Sequence, residues 1–205
     1  MILVPELELV VLLTPKVASG SIRRAVAARY PRSMMIYRHM EADGVPHGYD
    51  RWQKVGVVRE PIARLWSLYK FLADFDGPHE PAYLATMRAS VHMPFSDWIV
   101  ENHLPFTSPY DSSGAGRFFP GYTVRHPVPE NRKSQFVYLR PDLGTMIYRY
   151  DELAALEQRL DVKLGTGTNK TAALPMPELS AAARGHIDRF FAWDTVAAAP
   201  LRERR

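Results

Sequence analysis

Cysteine is absent from all 205 residues, which excludes disulfides and cysteine-ligated metal sites and permits a reducing compartment. No apolar run reaches the ~20 residues a membrane-spanning helix needs. The N-terminus lacks the basic-then-apolar layout of a secretory signal, and its apolar residues run directly into a strand. A cytoplasmic protein without membrane attachment is therefore expected. Basic blocks are also missing, apart from the terminal Arg202, Arg204 and Arg205. A net charge of +4 suits small anionic ligands, and no nucleic-acid partner is expected. The seven histidines, among them His39, His47, His79 and His92, are scattered, so no metal site is expected. The nucleotide-triphosphate loop that ends in Gly-Lys-Ser/Thr is missing too.

What is present is ordinary globular composition, 46% hydrophobic and 23% charged, at a length that suits one domain spanning residues 1–205. The chain is organised around residues 9–22. Val10, Val11, Leu12 and Leu13 show no polar alternation, as expected of a strand buried on both faces. Thr14 and Pro15 break the run. Lys16 follows, then the small residues Ala18, Ser19, Gly20 and Ser21, and a helical pattern begins at Ile22. Small side chains at a helix N-terminus let backbone N–H groups approach an anion, and Lys16 adds a point charge. The alternative is an ordinary strand-to-helix turn whose serines cap the helix.

Further along, residues 21–30 read as a helix stopped by Pro31, and 33–37 as a short buried strand delivering Arg38 and His39. Residues 41–50 read as a loop, 53–58 as a strand and 62–75 as an amphipathic helix opened by Pro61. Residues 77–132 are irregular apart from a helix over 94–102, a length of irregular chain expected of a functional or mobile segment. Strands are predicted at 134–139 and 144–150, helices at 152–160 and 180–191, and a donor-rich loop at 165–174. The alternation predicts an α/β fold with a central, mainly parallel sheet flanked by helices. Ligands belong beyond the strands' C-terminal ends.

The order Pro15, Lys16, Ala18, Ser19, Ser21 resembles the Pro-Lys-x-Ala-Ser-Thr-Ser loop of carbohydrate-type sulfotransferases, which use 3′-phosphoadenosine-5′-phosphosulfate (PAPS). Gly20 stands where that family usually has Thr. Arg59, Pro61, Ser67 and Tyr69 resemble the same family's 3′-phosphate motif, Arg-[Asn/Asp]-Pro followed by Ser-x-Tyr. The resemblance implies a single P-loop-like domain and transfer of a sulfuryl group from PAPS to a hydroxyl acceptor, a carbohydrate, with adenosine 3′,5′-bisphosphate leaving and no metal taking part. It places Pro15, Lys16, Ala18, Ser19, Gly20, Ser21 and Ile22 at the 5′-phosphosulfate, Arg59 and Ser67 at the 3′-phosphate, and Lys170 and Thr171 in a late loop beside the nucleotide. Lys16 is the expected catalytic cation. His39 is the expected general base, with His47 and Glu41 as alternatives. The resemblance also implies that residues 77–132 are an acceptor-side insertion, in which Phe106, Tyr110, Phe118, Phe119 and Tyr122 are sugar-stacking candidates or core. Gln135, the step from Tyr150 to Leu153, and Asp194 match family features of structural character. Two other readings stay open: a nucleotide phosphotransferase, and a silent nucleotide- or glycan-binding relative.

Overall fold

The computed structural model describes residues 1–36, 39–73, 91–100, 134–165 and 174–199. Five strands form one mixed sheet in the order β3-β1-β2-β4-β5. They are β1 (Ile2–Val4), β2 (Leu9–Leu12), β3 (Met34–Met35), β4 (Gln53–Val58) and β5 (Met146–Arg149). Two pairings, β2 with β4 and β4 with β5, are parallel; β1 pairs antiparallel with both β2 and β3. The mainly parallel sheet expected from the alternation of elements is thus a mixed one. The reason is β1, three residues too short to register as an element in the sequence, which inserts against the direction of its neighbours. The other four strands still run the same way, so their C-terminal ends share one edge.

Both faces of β2 are covered, which accounts for its unbroken apolar run. Leu9 and Val11 pack with Val55 and Val57 against α1 (Ser19–Arg29) and α5 (Leu153–Leu160), through Ile22, Val26, Leu156 and Leu160. Val10 and Leu12 face the other way, with Val58, Met40 and Leu139. A helical layer on that side buries Leu65, Leu68 and Leu72 of α2 (Pro61–Ala73) against Phe95, Trp98 and Ile99 of α3 (Phe95–Val100). Ala183 and Ile187 of α6 (Ala181–Phe190) and Phe191, just ahead of α7 (Ala192–Ala198), complete it. Each leucine so buried contributes roughly 1.5–3 kcal/mol. Among the described residues no helix is long and apolar enough to cross a membrane.

Two local expectations are corrected. Residues 134–139 form a short helix, α4 (Gln135–Leu139), and not a strand. Their aromatic and β-branched content favours a strand. Ser134 overrides it by capping the Phe136 N–H at 3.1 Å, and Arg140 ends the helix in the left-handed region (φ 43°). The strand expected at 33–37 shrinks to the two-residue edge strand β3, whose Met34 is exposed.

Gly56 lets α4 approach the sheet. A Cβ at that position would lie 2.3 Å from Leu139 Cδ2 and 3.4 Å from the Leu12 Cβ. Gly56→Ala is expected to destabilise the fold by about 1–3 kcal/mol, the usual cost of overpacking. Denaturant unfolding measures it, as a lower midpoint at unchanged slope.

Candidate functional site

The site is built on the loop after β2. Leu13 and Thr14 are still buried, and Val17, fully buried, plugs the loop into the core. Lys16 and Ala18 on either side of it both have φ 64°, in the left-handed region. For residues with a Cβ this costs roughly 1 kcal/mol each, and such strain concentrates at ligand loops. Ala18 is the N-cap of α1 and offers no capping side chain. The Ser21 and Ile22 N–H groups donate to Ala18 O at 2.9 and 3.0 Å. The N–H groups of Ser19 and Gly20 have no acceptor among the described residues. The serines therefore do not cap the helix, and its first N–H groups stay open to an anion. Ile22, expected among the ligand residues, is an anchor instead: its side chain lies in the core and its N–H is engaged. A Cβ at Gly20 would meet only Arg24 Nη1, at 3.7 Å, so packing does not require glycine there.

Arg59 arrives from the neighbouring strand. β4 and β5 stay in register up to Val58 and Arg149, so the next residues, Arg59 and Tyr150, lie side by side. The Arg59 guanidinium stacks over the Tyr150 ring, 4.5 Å from its centroid, and Nη1 donates to Lys16 O at 3.2 Å. The second motif thus touches the first, forty-three residues earlier in the chain. Glu60 caps α2, accepting from the Ile62 and Ala63 N–H groups at 3.0 and 2.6 Å. A carboxylate reaching N2 and N3, with Pro61 at N1, does the work of the shorter Asn or Asp of the motif.

Two half-buried cations therefore share this edge, and among the described residues neither makes an ion pair. The Lys16 ammonium lies 4.1 Å from the centre of the Phe71 ring. Its pKa is pushed from the usual 10.5 to about 8, first by burial and then by the charges of Arg59 and Lys70. Burial also lowers Arg59, partly offset by Tyr150 and Glu60. Positive charges that crowd one another, half-buried and without an ion pair, form a site that an anion would relieve.

His39 stands beside the same loop, its Nδ1 2.7 Å from Leu13 O. A carbonyl oxygen only accepts, so Nδ1 carries the proton and Nε2 is the basic nitrogen of the neutral ring. His47, by contrast, has a fully exposed side chain 3.9 Å from Asp50, and Glu41 is buried. The Ser67 hydroxyl makes no hydrogen bond among the described residues, and it lies one turn ahead of Lys70 and Phe71 on α2. Lys170 and Thr171, Arg38, and the aromatic residues between 106 and 122 lie outside the described residues.

Sequence reasoning missed Lys70, Phe71 and Tyr150 as members of the site. The first two carry a legible signal, since positions three and four residues after Ser67 share its helix face. Tyr150 had none, because only the β4–β5 register brings it to Arg59. Fold and site together define an α/β protein with two half-buried cations at the shared C-terminal strand edge. No protein-family model matches the chain, and no curated protein or solved structure matches it either.

Proposed function

We propose that the protein is a PAPS-dependent sulfotransferase acting on a hydroxyl acceptor, a carbohydrate. The observation that carries the reading is the pair of half-buried cations, Lys16 and Arg59, linked through Lys16 O and without an ion pair among the described residues. Adenosine 3′,5′-bisphosphate and its sulfated form carry anionic groups on both sides of the ribose and suit such a pair. In this reading the open N–H groups of Ser19 and Gly20 and the Lys16 ammonium hold the 5′ group, while Arg59 and Ser67 hold the 3′-phosphate. The four co-directional strands and their flanking helices then form a P-loop-type domain in which β1 is an insert.

The acceptor oxygen bonds to sulfur as the bond from sulfur to the bridging oxygen breaks. His39 Nε2 takes the acceptor's proton. Lys16 faces the negative charge developing on the bridging oxygen, so positioning and charge stabilisation dominate and no covalent enzyme intermediate is needed.

Thermal denaturation tests the reading. Adenosine 3′,5′-bisphosphate at about 100 times its Kd should stabilise the fold by ~2.7 kcal/mol. For a chain of this size that raises Tm by roughly 5–11 °C. Magnesium ATP should do clearly less. A larger shift with magnesium ATP would replace the reading with a nucleotide phosphotransferase.

A further inference from the structure

We propose that Gln135 is a positioning residue that fixes the separation of the two cations and thereby selects ligands carrying two anionic groups over ligands carrying one. The inference rests on reading Lys16 and Arg59 as ligands for separate anions.

The paired rungs between β4 and β5 end at Val58 and Arg149, so Arg59 lies just beyond the last of them. One buried side chain takes both its backbone groups. The Arg59 N–H donates to Gln135 Oε1 at 3.0 Å, and Gln135 Nε2 donates to Arg59 O at 2.6 Å. A primary amide offers a donor and an acceptor side by side, which is what one residue's N–H and C=O require. Asparagine has the same amide on a stem one methylene shorter. Methionine has the length without the hydrogen bonds.

Gln135 is itself held from behind. It is fully buried, and its backbone N–H donates to Asp194 Oδ1 at 2.6 Å. Asp194, also fully buried, accepts from the Ser134 hydroxyl as well, and it is the main negative charge acting on the buried Arg64. A polar chain therefore runs from α7 through α4 to the end of β4. Beyond it the Arg59 fork has two further supports, the Tyr150 ring and Lys16 O. With the backbone clamped, the Arg59 side chain starts from a fixed point beside the Lys16 loop, and its two supports hold the guanidinium there. Without the clamp, Arg59 remains present and charged but no longer sits at a set distance from Lys16. A ligand with one anion at the Lys16 loop does not sense that change; a ligand bridging both cations does.

The test measures Kd by calorimetry on the full chain, for adenosine 3′,5′-bisphosphate and for adenosine 5′-phosphate. The variants are Gln135→Met, Gln135→Asn and Ser134→Ala, the last touching Asp194 but not Arg59. Both Gln135 variants should lower the bisphosphate preference about tenfold while the monophosphate Kd moves less than twofold. Ser134→Ala should lower Tm and keep the preference. Should Gln135→Met fail to fold, Gln135→Asn reads the same ratio. An unchanged ratio in the folded Gln135 variants, or equal loss of affinity for both nucleotides, overturns the proposal and leaves Gln135 a packing residue. A wild-type protein that binds both nucleotides equally overturns the reading of Arg59 itself, and the proposal with it.

Discussion

Lys16→Met is expected to make the ligand-free protein more stable while lowering turnover by about 10²–10³-fold, the usual loss when a donor facing developing charge is removed. The stability gain follows from burial. The Lys16 ammonium is held at a pKa of about 8, against 10.5 in the unfolded chain. Below pH 8 both states carry the proton, and the folded state alone bears the desolvated charge. Between those two values the folded protein has released the proton and the unfolded chain has not, so this site's contribution to stability rises with pH. Methionine keeps the contact with Phe71 without the charge. The variant should gain about 2–3 kcal/mol at pH 7, discounted for solvent reaching the ammonium. That gain should shrink toward zero by about pH 10.5. Urea titrations of both proteins at pH 7 and at pH 10 measure it. A variant less stable than the parent at pH 7 would mean that Lys16 holds the loop together and is not poised for an anion. Bisphosphate affinity of the parent should weaken above pH 8, as the ammonium is lost.

The second large effect separates chemistry from binding. His39→Ala should keep adenosine 3′,5′-bisphosphate affinity within about twofold, because the loop contact it removes is to Leu13 O and neither Lys16 nor Arg59 loses a partner. Transfer from PAPS should fall by roughly 10²–10⁴-fold, the range for a general base. Release of the bisphosphate in the presence of a carbohydrate panel follows the turnover. The parent's rate should fall on the acid side as the imidazole takes up a proton and its Nε2 lone pair is lost. In His39→Ala that acidic limb should disappear. The hydrogen bond from Nδ1 to Leu13 O is what fixes the reactive tautomer, so a ring without it would be a weaker base. Normal turnover in His39→Ala, with loss in His47→Ala, would move the role to the exposed loop that His47 occupies.

Much of the scaffold was legible because its signals are local. The unbroken apolar run of β2 reports burial on both faces, and β4 was read at its observed limits, Gln53–Val58. Pro61 and the spacing of Leu65, Leu68 and Leu72 mark α2 in the same way. The place of the Lys16 loop could be read because Thr14 and Pro15 break the apolar run and small residues lead into a helical pattern. Arg59 was readable from its place at a strand end.

What the chain left silent are facts about pairs. The direction of β1 depends on which strands lie beside it, and three apolar residues carry no such information. Residues 134–139 carry the aromatic and β-branched side chains of a strand, yet Ser134 caps them into a helix and Asp194 ties the Gln135 backbone, some sixty residues away in sequence. The lowered pKa of Lys16 comes first from burial and then from Arg59 and Lys70 nearby, and the position of Arg59 needs Tyr150 and Gln135. By itself the sequence determined which side chains were available to meet an anion. Tertiary structure alone decided that two of them would meet half-buried and without an ion pair among the described residues, because separation and burial, and not residue type, set the energy of a charge.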